Sequence, residues 1–172
     1  LDKRYTKIEE KWTGNYFFNL LRHFYFQSFF QLFLNTIFIS IYMHPQTQIK
    51  SIHFIAISLY LIALIGQIVS DYQLHSFKQL NQGVCNIGLW QFCRHPNYFF
   101  EFLIWVGLAL MSYVHPIVWL APAGAFVIMR FMTGPYSERL SLLKRGDNYR
   151  KYQKEVPMFF PSIRLILRAI FK

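Results

Sequence analysis

Long apolar stretches, broken at only a few points, dominate the chain and predict helices at membrane length rather than the alternating pattern of strands. Phe24 to Met43 is a 20-residue run without a formal charge. A span needs about 20 predominantly apolar residues, because the hydrocarbon core is about 30 Å thick and a helix rises about 1.5 Å per residue. Gln27, Gln31 and Asn35 repeat at four-residue spacing within this run. Amides are costly against lipid, so this face is expected to point into the protein or a polar cavity. Ile52 to Ser70 is a second uncharged run, entered after His44-Pro45 and left at Asp71. The short connection predicts that the first two helices are antiparallel neighbours. Phe102 to Met129 is uncharged for 28 residues, about 42 Å as one straight helix. It is therefore one tilted span or two short ones.

Charge separates these alternatives. Lys and Arg collect in cytoplasmic loops, and a hairpin of 98–113 and 116–132 broken at His115-Pro116 puts 17 of the 18 basic residues on one side, with only Lys50 opposite. A single long span would leave the ten basic residues from Arg130 onward on the far side. The expectation is an all-α polytopic bundle with about four spans, both termini cytoplasmic, and a C-terminal interfacial helix in IRLILRAIFK.

Composition agrees. The chain of 172 residues is 54% hydrophobic and only 15% charged, against about 45–50% and 25% in soluble domains. The net charge of +10 follows from membrane topology, so nucleic acid is not an expected partner. No secretory leader is recognisable in the charged first 14 residues, and the chain begins at Leu. Cys85 and Cys93 fall in a predicted cytoplasmic loop and are expected to be free thiols, without the clustered His or carboxylates of a zinc site.

The candidate chemistry lies between Gln67 and Glu101. There is no G-x-G-x-x-G, P-loop, nucleophile elbow or H-E-x-x-H. If the second helix continues inward, Gln67, Asp71, His75 and Lys78 share a face, either a solvated helix end or the wall of a polar ligand site. Glu101 sits among aromatics just inside a span, where a carboxylate marks a site or a partnered charge such as one to Arg94 or Arg130. Arg94-His95-Pro96-Asn97-Tyr98 opens the third helix with Pro in its first turn. Free N–H groups and a positive dipole end there, beside Arg94, suit a phosphate, while His95 alone reads more simply as a cap. In the tail, Arg145, Arg150 and Lys151 alternate with Tyr149 and Tyr152. That pattern grips either a nucleotide or anionic lipid headgroups.

The run GLWQFCRHPNYFFEFLIWVG, preceded by SDYQLHSFK and followed by GDNYRKYQKEVPMFFP, resembles the C-terminal region of steroid 5-alpha-reductases, sterol reductases and related bacterial membrane reductases. LDKRYTKIEEKW also looks like the start of the shared part in the bacterial branch. The resemblance covers nearly the whole chain. It implies one membrane reductase-like domain over 1–172, without the family's N-terminal helices. It also implies NADPH in a cytoplasmic-side polar cavity, without a Rossmann domain, reducing a conjugated double bond of a steroid-like or lipid substrate. Carried over by position, Gln67, Asp71 and Lys78 match cofactor contacts of one helix, and Arg94, Asn97, Tyr98 and Glu101 those of the RHPNY-type motif. Arg145 and Tyr149 fall near the C-terminal nucleotide contacts.

Three departures accompany the resemblance. Phe100 stands where the family usually has Gly, Gln91 where it usually has a basic residue, and the family's substrate-side acids belong to helices upstream. Tyr60 and Tyr113 lie in spans, but no residue is assigned as proton donor. Two other readings compete. The chain is similar to S-adenosylmethionine-dependent isoprenylcysteine carboxyl methyltransferases through RHP-x-Y. Those more often carry Gly-Pro-Tyr before it and a Glu-Glu pair later, where this chain has Gly88-Leu89-Trp90 and a single Glu138. A non-enzymatic lipid-binding bundle needs no nucleotide at all.

Overall fold

The computed structural model describes residues 14–43, 48–112 and 115–171, and all regular structure among them is helical. Helix α1 spans Tyr16–Met43, α2 Ser51–Leu80 and α3 Pro96–Met111. A 3₁₀ turn at Pro116–Trp119 leads into α4, Leu120–Ile128, a π-helical turn at Met129–Thr133, and α5, Gly134–Glu155. A last helix, α6, spans Ile163–Ile170. Three helical runs, Tyr16–Met43, Ser51–Leu80 and Pro116–Glu155, are long and apolar enough to cross a membrane. The apolar α3 has 16 residues, about 24 Å of rise.

The uncharged stretch from Phe102 is thus two helical segments, separated after Met111 and restarted at Pro116. The third helix is close to its expected 98–113, whereas the fourth, expected at 116–132, continues through the π turn as one helical run to Glu155, and α2 runs ten residues past Ser70. That extension carries the Gln67–Lys78 face out of the apolar stretch.

The expected pairing of the first two helices is corrected. The main partner of α2 is α3, and α1 packs mainly against α4 and the turn before it. Side-chain size explains the choice. Small residues Ala56, Ala63, Gly66 and Ser70 are the buried ones on α2. A Cβ on Gly107 of α3 would lie 3.1–3.2 Å from backbone atoms of Ala56 and Tyr60. Small residues let helix backbones approach in lipid, where no hydrophobic force draws them together. By contrast, Leu34 and Ile37 of α1 cluster with Ala109, Val118 and Ala121.

A second correction concerns the amides of α1. Its buried positions are Leu34, Ile37 and Ser40, so Gln27 and Gln31 are exposed and Asn35 is half-buried. The bulky apolar face, not the amide face, wins the contact with α4.

The ends of the bundle are fixed by cross-links. Ser112 Oγ donates to Ser40 Oγ at 3.0 Å, holding the ends of α1 and α3 together. At the opposite end, residues 92–95 run beside 157–162. Arg94 N donates to Pro157 O at 2.9 Å, His95 N to Met158 O at 3.1 Å, and Ser162 N to Phe92 O at 3.0 Å. Phe159 inserts between α3 and α4, edge-on to Phe126 at 5.1 Å and to Phe102 at 5.9 Å. Helix α6 has no buried residue, with Ile163, Leu167 and Ile170 exposed on an amphipathic segment that also carries Arg164 and Arg168. This fits a helix lying at a membrane interface.

Inside α5, Gly146 has φ 52° and ψ −128°, so α5 is two helices joined at a kink. An L side chain is strained in this region, although nothing crowds a Cβ there. Gly146→Ala is expected to lower stability by about 1–2 kcal/mol, read as a fall in the thermal midpoint in detergent. An unchanged midpoint would mean that the kink is not required.

Candidate functional site

The candidate site forms where the inner end of α2, the 81–95 loop, the start of α3 and the kinked α5 converge. The loop is tied down on both sides. Trp90 Nε1 donates to Ser70 O at 2.9 Å, and Leu89 N to Gln73 Oε1 at 3.0 Å. Gly88, at φ 54°, leaves the room that the Gln73 amide occupies. From α5, the Tyr152 hydroxyl donates to Trp90 O and Arg145 Nε to Gly83 O at 2.7 Å. Cys93 Sγ donates to Phe159 O at 2.8 Å. Burial pushes the Cys93 thiol pKa up to about 12, which suits a structural donor and not a nucleophile. Cys85 is also a buried free thiol, and burial raises it too.

These ties line a cavity of about 180 Å³ with an open mouth, smaller than the usual small-molecule site of roughly 300–1,000 Å³. Of the nine residues singled out in the sequence, Lys78, Arg94, Asn97, Tyr98, Arg145 and Tyr149 line it. His95, Ser137, Ser141 and Tyr152 contribute as well. Two buried polar atoms on this wall have no hydrogen-bond partner: Asn97 Oδ1 and His95 Nε2. His95 Nε2 lies 3.4 Å from Glu138 Oε1 without hydrogen-bond geometry, and its ring stacks on Tyr98 at 5.0 Å. His95 Nε2 therefore has the Glu138 carboxylate beside it, which leaves Asn97 Oδ1 as the unsatisfied atom on this wall, and native interiors leave few such atoms without a partner. His95 is the N-cap of α3 and makes no side-chain cap, with Pro96 following. The helix start therefore presents N–H groups and its positive end beside the cavity.

Arg94 has a different place from the phosphate contact that its position suggests. Its Nε donates to Glu138 Oε1 at 2.7 Å and its Nη2 to Glu138 Oε2 at 3.3 Å. Its Nη1 reaches Gln153 O at 2.6 Å and Val156 O at 3.0 Å, at the C-terminal end of α5. Gln153 Nε2 completes the carboxylate shell at 2.7 Å from Glu138 Oε2. The guanidinium thus clamps the wall of the cavity. Lys78 is exposed and makes no hydrogen bond or ion pair with a described residue.

Gln67, Asp71 and Glu101 do not line this cavity. Gln67 is half-buried and Asp71 exposed on α2. Glu101 lines a second, mostly apolar cavity of about 180 Å³ with Phe30, Leu34, Trp105 and Thr133. Tyr98 lines both cavities and is their common wall. Tyr60 lines neither, and Tyr113 lies outside the described residues.

Sequence reasoning passed over Glu138, Gln153 and Trp90 as members of the site. Glu138 carried a usable signal, being the one acid between Glu101 and Asp147 in a basic tail. Trp90 and Gln153 carried none, since their partners, Ser70 O and the Glu138 carboxylate, are distant in the sequence.

A family model described as a protein of unknown function (DUF1295) matches residues 1–156. The chain belongs to the DUF1295 family. The match includes α1–α5 and every residue that lines either cavity, so the clamped loop and both cavities lie within the DUF1295 region. No curated protein and no solved structure matches the chain.

Proposed function

We propose that this DUF1295 chain is the cofactor-holding part of a membrane reductase that uses NADPH to reduce the conjugated double bond of a steroid-like or lipid enone. The resemblance of the GLWQFCRHPNYFFEFLIWVG run to steroid 5-alpha-reductases supports the reaction class. The observation that carries the reading is the unsatisfied Asn97 Oδ1 on a cavity that also holds His95, Lys78 and Arg145. An amide carbonyl suits the N–H of a carboxamide or a ribose hydroxyl. Two cations and a helix N-terminus suit phosphates, and Tyr98 and Tyr149 offer ring faces. In this reading Arg94 is a positioning residue that holds the wall through Glu138. Gln67, Asp71 and Glu101 would meet the cofactor further along the α2–α3 contact. The group, when bound, supplies a hydride.

The apolar cavity beyond Tyr98 suits a hydrophobic substrate, shielded from water by Phe30, Leu34 and Trp105. Both termini are cytoplasmic in this reading, because 17 of 18 basic residues collect on one side, with membrane lipids as partners of α6.

Thermal stability in detergent tests the proposal. NADPH at a hundredfold excess over Kd is expected to stabilise the protein by about 2.7 kcal/mol, NADH less for want of the extra phosphate. Lys78→Ala and Asn97→Ala are expected to abolish that gain while leaving the ligand-free midpoint nearly unchanged. Stabilisation by S-adenosylmethionine alone would move the chain to the methyltransferases. No response to any nucleotide would leave a lipid-binding bundle.

A further inference from the structure

A groove distinct from both cavities runs where α6, the 86–92 stretch and the end of α5 meet. It has two hollows, of about 510 Å³ and about 340 Å³, which share Asn86 and Glu155 as walls. Arg168 of α6 lines the larger hollow and Lys151 of α5 the smaller, so Glu155, common to both, stands between two cations. The walls are anchored. Ser162 N donates to Phe92 O at 3.0 Å, which ties the start of α6 to the loop, and Leu165 packs on the buried cluster of Tyr149, Tyr152 and Val156. Although they line one continuous groove, the side chains of Glu155, Arg168 and Lys151 make no ion pair or hydrogen bond with one another or with any other described residue. Charges of both signs are thus held apart around a space large enough for a ligand.

We propose that this groove binds the headgroup of a zwitterionic phospholipid with a primary ammonium, of the phosphatidylethanolamine class. Depth selects a lipid. The exposed Ile163, Leu167 and Ile170 of α6 place that helix at the acyl boundary, so the groove along its other side opens at the level of the headgroups. Charge selects the kind. The Arg168 guanidinium offers a fork of N–H donors to a phosphate, while Glu155, the last acid of the chain, repels a purely anionic headgroup and accepts from an ammonium. An ammonium has three N–H donors, for which the Glu155 carboxylate and the Asn86 amide oxygen are acceptors. A quaternary choline has none to give. Two carbons join the phosphate ester to the nitrogen of such a headgroup, so one molecule presents opposite charges to Arg168 and Glu155 together. This inference is independent of the reductase reading, because none of these residues lines either cavity.

The test titrates the full chain in detergent with short-chain dihexanoyl lipids and reads the apparent Kd from the shift of the thermal midpoint. Dihexanoyl-phosphatidylethanolamine is expected to bind roughly tenfold more tightly than the choline and glycerol forms, and inorganic phosphate alone is expected to leave the midpoint in place. Glu155→Gln should bring the ethanolamine lipid down to the level of the choline lipid, and Arg168→Ala should weaken both. Both side chains are exposed, so the ligand-free midpoint and any nucleotide response should stay as in the parent. Lys154→Ala, exposed outside the groove, is the control and should change nothing. No response to the ethanolamine lipid, an equal response to the choline or glycerol form, an equal response to inorganic phosphate, or unchanged selectivity in both Glu155→Gln and Arg168→Ala would each overturn the proposal. A chain that answers to the ethanolamine lipid but to no nucleotide would uphold it while the reductase reading fails.

Discussion

Arg94→Ala is expected to lower the stability of the folded chain by about 3–5 kcal/mol, the cost of leaving a buried charge without its partner. The Arg94 and Glu138 side chains are only 11% and 10% exposed. Removing the guanidinium strands the Glu138 carboxylate with Gln153 as its remaining good donor and frees two carbonyls, Gln153 O and Val156 O. It also removes a cation from the C-terminal end of α5, where the helix dipole favours one. Glu138→Ala is expected to cost a similar amount for the mirror reason. Glu138→Gln should cost less, because its amide oxygen still accepts from Arg94. Arg94→Lys should recover only part of the loss, since an ammonium cannot make the paired contact and reach both carbonyls. The measurement is the thermal midpoint in detergent, with protease sensitivity of the 81–95 loop as a local readout. Arg94→Ala with an unchanged midpoint and an unchanged loop would show that the clamp does not hold the cavity wall. In the reductase reading this separates two kinds of residue. Lys78 and Asn97 variants lose the ligand effect alone, and Arg94 and Glu138 variants lose the wall with it.

Much of the bundle was legible in the chain because membrane helices announce themselves by length and charge. The break before Pro116 followed from the position of the ten basic residues after Met129, and the structure has its turn there. Which helix meets which was not legible. Loop length favoured α1 beside α2, yet the small-residue stripe of α2 against Gly107 selected α3. The site was legible as a list of residue types around RHPNY, and six of nine named residues line one cavity. Their division of labour was not. Whether Arg94 faces a ligand or Glu138 depends on a carbonyl pair some 60 residues away, which no local pattern encodes. The same holds for α1. Its amides were read as facing inward from cost alone, while the neighbouring Leu34 and Ile37 offered α4 a better surface.

Gly66→Leu is expected to destabilise the chain by about 3 kcal/mol, at the upper end of overpacking effects, and Phe100 is the reason. A Cβ placed on Gly66 would clash with the Phe100 ring, with Cε1, Cδ1 and Cζ nearest to it. Phe100 therefore points at α2 and does not line either cavity. The departure at this position, Phe where similar reductases usually have Gly, is thus accommodated by the missing side chain of Gly66 across the α2–α3 contact. The ring also lies 5.4 Å from Phe99, so it is held among neighbours and has little freedom to swing away. Phe100→Ala alone opens a void and is expected to cost about 3 kcal/mol, the lower part of the Phe→Ala range. Combined with Gly66→Leu, the new side chain occupies the space of the old ring, and the two losses should cancel in large part. A coupling energy of about 2 kcal/mol in the double-mutant cycle is expected, read from thermal midpoints of the four proteins. Strict additivity would mean that the ring and the glycine do not share a space. The cofactor reading makes a further demand on the same four proteins. Since Phe100 lines neither cavity, the Gly66→Leu/Phe100→Ala chain should keep the part of the NADPH response that depends on Lys78 and Asn97.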